Sequence, residues 1–290
     1  MDTIGGQAVI EGVMIRNKNR IATAVRTEKG IVVTEENFVS LTEKYKPLSL
    51  PIMRGIITFF ETIKIGIRTL NYSADMFESK GKKIHEKNNM SFYATTMFAF
   101  AVAIAIFLFL PIFMTTKLFS IERTAFYFNM ITGFIRIIFF LVYIYFISSM
   151  KDVKRLFMYH GAEHKAVNCY EHGEKVNLKN AKKYSTIHKR CGTSFLLIAF
   201  ITAIIGFSIV DLASFYLIGS TSTLIRTAAH LLFLPIILGI SYEIMKLAAS
   251  KSSVFSDMIV YPGSLLQKIT TAEPDDGMIE VAISAIQKII

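Results

Sequence analysis

Apolar residues gather in four long blocks along the chain. The blocks are residues 92–116, 124–149, 194–218 and 225–247, and the first of them contains no charged residue. A helix that crosses a bilayer needs about 20 mostly apolar residues. We therefore predict four transmembrane helices, the first two within residues 92–149 and the last two within 194–247.

The segments before the first block follow different patterns. Residues 1–50 contain two runs rich in Val, Ile and Thr on either side of Glu28-Lys29-Gly30, which predicts a β-rich region with a hairpin. In residues 51–77 apolar side chains recur at helical spacing, and most charged side chains fall on the other faces of that helix. They predict an amphipathic helix that lies in the headgroup plane or packs on the hairpin and the helix bundle. Residues 78–91 are polar and predict a linker.

Two further segments lie outside the blocks. Residues 150–193 are polar and rich in histidine, and we interpret them as a loop that carries the candidate site. Residues 248–290 form a tail whose last part is introduced by Pro274, Asp275 and Asp276, as is typical of a helix start. The predicted fold is a mainly α integral membrane protein with a small β-hairpin region and amphipathic helices.

Composition supports a membrane protein. Hydrophobic residues make up 52% of the 290 and charged residues only 19%, whereas soluble globular proteins have about 25% charged residues. This excludes a soluble enzyme and a disordered chain. The net charge is +10, but basic residues do not alternate with stacking aromatics, so we expect the lipid bilayer as a partner and no nucleic acid.

The distribution of Lys and Arg predicts the orientation. Fourteen precede residue 92, ten lie in residues 150–193 and four follow residue 245, whereas residues 117–123 have two and 219–224 none. By the positive-inside rule, both termini and the segment 150–193 are predicted to be cytoplasmic, in the inner (plasma) membrane. The first residues have neither the basic nor the apolar part of a signal peptide, so we expect none to be cleaved.

The densest group of reactive residues follows the second predicted span. It reads His160-Gly161-Ala162-Glu163-His164, with two histidines four residues apart. On a helix such residues share a face, so both imidazoles could bind one divalent cation, with Zn²⁺ as the first candidate. Glu163 is the candidate catalytic residue, as general base on a water, and a ligand in the alternative.

A catalytic zinc needs a third protein ligand. His188 is our first candidate, because its segment returns to the membrane near His164, and Cys191 is the second. Glu243 is a remote third. The alternative is that these residues are polar groups at the membrane interface and bind no metal.

Two charges lie inside predicted spans. Arg136 and Asp211 fall at similar depths when the helix rise is counted from the inner end of each span. Because an unpaired charge there would cost several kcal/mol, we predict an Arg136–Asp211 ion pair with His230 nearby.

Four separated stretches resemble the YqhQ-like family of bacterial multi-pass membrane proteins. They are GGQAVIEGVMIR, GAEHKAVNCYEHGE, YSTIHKRCGTSFLLI and TTAEPDDGMIEVAI, and the resemblance covers nearly the whole chain. That family is a domain of unknown function labelled as a metal-dependent enzyme. The resemblance implies a multi-pass membrane protein with a candidate metal centre at His160, Glu163, His164, His188 and Cys191.

Three functions compete at this point. The first is a metal-dependent membrane hydrolase at the cytoplasmic face, with Tyr159, Lys165 or Arg190 stabilising an oxyanion. The second is a non-catalytic scaffold or assembly factor that binds another membrane protein complex or a second copy of the chain, with a structural histidine cluster. A transporter is the least favoured function, because four spans without an inverted repeat are too few for the usual transporter folds.

Overall fold

The computed structural model describes residues 4–78, 97–98, 101–103, 105–118, 126–219, 223–250 and 253–290. Apart from Glu78, the predicted linker 78–91 lies outside the described residues, and so does the start of the first predicted span. Within the described residues the chain is mostly helical, with a four-stranded antiparallel sheet near the N-terminus.

The sheet is a meander in which each strand pairs with the next along the chain. Its strands are β1 (Ile4–Val9), β2 (Gly12–Asn17), β3 (Arg20–Thr27) and β4 (Gly30–Asn37). The predicted hairpin is the β3–β4 pair, where Gly30 follows the two-residue turn with a φ of 116° that favours glycine. The structure adds β1 and β2, so the region is a sheet and not a single hairpin.

Ten segments that are mainly helical follow the sheet in the described part of the chain, besides a 3-10 helix at Lys46–Ser49. They are α1 (Leu41–Lys44), α2 (Met53–Glu78), α3 (Ala101–Leu118), α4 (Phe126–Ser148), α5 (Lys151–Glu171), α6 (Leu178–Ala181), α7 (Gly192–Ile218), α8 (Thr223–Ser250), α9 (Val254–Thr270) and α10 (Asp276–Ile289). Four of them, α3, α4, α7 and α8, are long and apolar enough to cross a membrane. Four such helices suggest a multi-pass membrane protein.

The polar segments are more helical than their sequence suggested. The predicted loop 150–193 contains α5 and α6, and the tail 248–290 contains α9 in addition to the expected C-terminal helix. That last helix, α10, begins where it was predicted, because the Asp275 side chain accepts from the Met278 backbone N–H at 2.8 Å. The helix expected at His160–His164 is part of α5, whereas the full length of α5 and the short α6 were not expected. Helix α5 has few apolar residues on its exposed side, while its other side packs on the sheet and on α10.

Two layers of helix enclose the sheet. One face packs on α5 and α10 around a core that includes Ile15, Tyr159 and Ile286. The other face packs on α2, through Val9, Met14, Ile21 and Ile65. The C-terminal helix thus completes the core of a unit that begins at the N-terminus.

Helix α2 connects this unit to the membrane helices. Its C-terminal half contacts the sheet, where the Gln7 amide donates to Thr69 Oγ1 at 2.9 Å. Its N-terminal half lies on α8, where Arg54 forms an ion pair with Glu243. The backbones are so close that a Cβ at Gly55 would lie 2.8 Å from the Gly239 carbonyl oxygen. Packing on the sheet and on the bundle, one of the two predicted alternatives, is therefore seen.

Candidate metal centre

One face of α5 carries the three central residues of the candidate site. His160, Glu163 and His164 occupy positions i, i+3 and i+4 of a helix, which brings their side chains together. The ring centroids of the two histidines are 4.4 Å apart. Just before His160 the helix contacts the chain after α9, where the Ala272 N–H donates to the Phe157 carbonyl at 3.0 Å.

Both imidazoles are held by backbone carbonyls. His160 Nδ1 lies 2.8 Å from the Thr270 carbonyl oxygen, and His164 Nδ1 is hydrogen-bonded to the Thr186 carbonyl oxygen. A carbonyl oxygen only accepts, so each Nδ1 donates its proton and each neutral ring keeps a lone pair on Nε2. A ring N–H bonded to a carbonyl is the usual arrangement around metal-binding histidines.

Cys191 completes the group from the start of α7. Its Sγ lies 3.2 Å from His160 Nε2. One ligand atom from each of His160, His164 and Cys191 lies within 4.8 Å of the others, so the three could hold one cation. Two imidazole nitrogens and a thiolate are a donor set that zinc accepts. Binding would displace the thiol proton.

Glu163 is buried beside this group. Its side chain lies against β1, where a Cβ at Gly6 would be 2.7 Å from Glu163 Oε1. Burial raises the pKa of Glu163, although His160 and His188 act in the opposite direction, and burial lowers the pKa of His164. Glu163 Oε2 lies 3.5 Å from His164 Nε2. An ionised carboxylate and a ring lone pair would repel each other, and a proton or a cation between them removes that repulsion.

His188, our first candidate for the third ligand, has a different partner. Its Nε2 lies 3.1 Å from Glu171 Oε2, and its ring centroid is 5.6 Å from that of His164. The remote candidate Glu243 forms its ion pair with Arg54. In this structure the second candidate, Cys191, is therefore the residue that lies with His160 and His164.

The segment that carries Thr186 and Cys191 is positioned by two side-chain amides, which sequence reasoning missed. Asn168 donates to the Ser185 and Ile187 carbonyls, both at 3.0 Å. Gln267 on α9 is fully buried, accepts from the His188 N–H at 2.8 Å and donates to the His188 carbonyl at 2.9 Å. Asn168 could have been found, because it lies four residues after His164 on the same face of α5. Gln267 has no comparable spacing to a candidate residue in the sequence.

The candidate centre opens into a cavity of about 720 Å³. His160, Glu163, His164 and Cys191 line it together with residues of the sheet, α2 and the end of α8. A volume of this size is ordinary for a small-molecule site.

The three candidates for oxyanion stabilisation differ in their surroundings. The Tyr159 hydroxyl donates to Glu11 at 3.1 Å, and Lys165 forms an ion pair with Glu273 at 2.8 Å. Arg190 lines the cavity, although it also pairs with Glu171. Of the three candidates, Arg190 is therefore the one that lines the cavity.

The charges inside the membrane helices pair differently from the prediction. Asp211 accepts from Asn129 at 2.6 Å and from His230 at 2.8 Å, and it forms an ion pair with Arg226. Arg136 forms no ion pair with it among the described residues, and its buried Nε has no hydrogen-bond partner there. The predicted neighbour His230 is present, whereas the predicted partner Arg136 is replaced by Arg226.

The difference follows from where the helices end. Asp211 lies 19 residues after Gly192, and Asn129 lies 19 residues before Ser148, so both are about 28 Å from those ends. Arg136 lies only 12 residues before Ser148, or about 18 Å. Its depth therefore matches Asp211 less well than the sequence suggested.

Comparison with known proteins places the chain in a family. A family model described as a protein of unknown function (DUF1385) matches residues 50–290. The chain belongs to this family. It is 32% identical over 307 residues to a protein of Bacillus subtilis (strain 168) named "Uncharacterized protein YqhQ", covering 99% of this chain and 92% of that protein. No solved structure matches the chain. The resemblance inferred from the four motifs is confirmed, and none of these names states an activity.

Proposed function

We propose that this protein is a metal-dependent hydrolase whose centre lies where the membrane helices meet the sheet. The observation that carries the proposal is the convergence of two Nε2 lone pairs and a thiol, each ring held at Nδ1 by a carbonyl. Three protein ligands beside a cavity leave a coordination position open, as catalytic zinc sites do. We propose Zn²⁺ as the ion.

Each residue has a role in this proposal. His160, His164 and Cys191 would hold the cation, which would supply polarisation of the substrate and a water acidic enough to lose a proton near neutral pH. Glu163 takes a proton from the attacking water. As it does so, the water oxygen bonds to the carbonyl carbon of an ester or amide, or to the phosphorus of a phosphoester. The bond to the leaving group breaks, and Glu163 returns the proton to it. Arg190 stabilises the negative charge that develops on the substrate oxygen.

The proposed site faces the cytoplasm. Basic residues are concentrated in the segments before residue 92 and in 150–193, which contain the sheet and α5. The positive-inside rule then assigns this side of an inner (plasma) membrane to the cytoplasm, together with both termini.

Metal analysis of the purified full-length protein tests the centre. We expect about one zinc per chain in the wild type and a loss of most of it in Cys191→Ser and His164→Ala. Cys169→Ser is the matched control, because Cys169 lies on α5 but its Sγ contacts the Lys175 carbonyl at 3.7 Å and no histidine. Zinc retained by Cys191→Ser, or lost equally by Cys169→Ser, would contradict the proposed ligands.

X-ray absorption at the zinc edge separates the enzyme from the scaffold. Two nitrogen donors, one sulfur and one exchangeable oxygen support a catalytic site. A closed set of three nitrogens and one sulfur, with His188 as the added ligand, supports the non-catalytic scaffold that the sequence left open. His188→Ala distinguishes them further, because it changes the spectrum only if His188 is a ligand.

A further inference from the structure

The cavity in front of the candidate centre combines polar and apolar walls. Phe59 and Ile65 of α2, Phe195 of α7 and Met245 of α8 contribute apolar side chains. Another part of the wall is the His160–Cys191 group described above. A ligand that fills this space therefore needs both a polar and an apolar part.

Cations outnumber anions around the cavity. Its basic lining residues are Arg16, Lys18, Arg190 and Lys246, and its acidic ones are Glu43 and Glu163. Lys246 lies in the last turns of α8, is exposed and forms no ion pair among the described residues. A lysine at the end of a spanning helix lies at the level of the lipid headgroups. The charge of the lining is complementary to an anion.

Two amphipathic helices indicate where the surface of the bilayer lies relative to the cavity. Helix α2 exposes Phe60, Ile63 and Ile67, and α9, which packs against α7 and α8, exposes Phe255, Met258 and Tyr261. Apolar faces of this kind are buried at the boundary between headgroups and acyl chains. Since α2 and the end of α8 also line the cavity, its walls continue into the leaflet next to the sheet.

We propose that the cavity binds the headgroup of an anionic amphiphile of the phospholipid type, taken from the leaflet next to the sheet. The volume of about 720 Å³ accommodates a headgroup, within the about 300–1,000 Å³ of ordinary ligand sites, while the acyl chains remain in the bilayer. As the substrate class of the proposed hydrolase, this inference rests on the proposed function, but its binding step can be measured separately.

Native mass spectrometry of the full-length protein, with equal amounts of phosphatidylglycerol and phosphatidylcholine, tests the proposal. We expect preferential binding of phosphatidylglycerol. Lys246→Gln should lower that preference about fivefold, which is the contribution of one cation at headgroup level to the affinity for an anionic lipid. Lys268→Gln on α9 is the control, because that exposed lysine does not line the cavity. An unchanged preference in Lys246→Gln, or an equal change in Lys268→Gln, overturns the proposal.

A bulky side chain tests the location. Thr62→Trp adds a bulky side chain to the α2 wall of the cavity and should abolish selective lipid binding, whereas Leu70→Trp on the exposed face of α2 should not. Lipid binding that survives Thr62→Trp overturns the proposal. So does full competition by glycerol phosphate at the lipid's own concentration, since that result indicates a soluble phosphate ester.

Zinc content measured in the same samples separates the two proposals. Selective lipid binding without zinc supports the amphiphile site and refutes the metal enzyme. Zinc without lipid selectivity refutes the amphiphile and leaves the metal centre intact.

Discussion

Gly161 offers a test of the metal centre at a residue that contacts no metal. A Cβ added there would lie 2.1 Å from the Ala272 carbonyl oxygen and 3.2 Å from Thr186 Cγ2. Ordinary carbon–oxygen contacts are about 3.3 Å, so in Gly161→Ala the chain after α9 must move by about 1.2 Å. Ala272 lies two residues after Thr270, the last residue of α9, whose carbonyl oxygen holds His160 at 2.8 Å. The substitution should therefore loosen the hydrogen bond that orients a ligand.

The size of the effect follows from two opposing terms. Glycine to alanine inside a helix stabilises by about 1 kcal/mol, whereas forcing an extra carbon into a packed site costs about 1–3 kcal/mol. The neighbour at Gly161 is backbone, which cannot change rotamer, so we expect the upper part of that range and a net loss of about 1–2 kcal/mol. Loss of an imidazole's hydrogen-bond partner lowers metal affinity by about 10–100-fold.

Gly192→Ala is the matched control, because a Cβ there meets nothing within 4 Å although the residue adjoins Cys191. Zinc affinity is measured by competition with a chelator, and stability by thermal unfolding with the metal removed. We expect Gly161→Ala to have a lower zinc affinity and a lower melting temperature than the wild type. Gly192→Ala should resemble the wild type in both. Equal affinities and equal melting temperatures for the two variants would refute the reasoning.

Three further predictions concern the membrane cluster, the thiols and the ion. Asp211→Asn should lower the melting temperature in detergent, because it removes one charge of a mostly buried ion pair, a loss that costs up to about 3–5 kcal/mol. Arg136→Met should not lower it, and the reverse order would support the pair predicted from sequence. In metal-free protein a maleimide should label Cys191 before Cys169, because burial raises the pKa of the Cys169 thiol. Zn²⁺ should protect Cys191 from labelling, and faster labelling of Cys169 would contradict the structure. Zinc at about 100 times its Kd should stabilise the wild type by about 2.7 kcal/mol and leave Cys191→Ser unchanged; an equal shift in both would place the ion elsewhere.

Much of the architecture could be predicted from local patterns. Four apolar blocks predicted four spanning helices, because a membrane requires about 20 apolar residues in succession. The spacing of His160 and His164 predicted a shared helix face, because helix geometry alone brings such residues together. Gly30 marked a turn through its backbone preference, and Asp275 marked a helix start through its capping side chain. The four family motifs likewise depend only on the order of residues.

The partners of these residues depended on the tertiary structure. The third member of the candidate centre was decided by the path of the chain after α6, which Asn168 and Gln267 fix, and it brings Cys191 and not His188 to His160. The partner of Asp211 was decided by where α4 and α7 end and how α8 packs beside them. The amino-acid sequence by itself determined which segments are long and apolar enough to cross a membrane and which residues share one helix face, since these depend on contiguous composition and helical periodicity. Only the tertiary structure decided which side chains meet across helices, because such contacts depend on helix ends, crossing points and backbone hydrogen bonds between residues far apart in the chain.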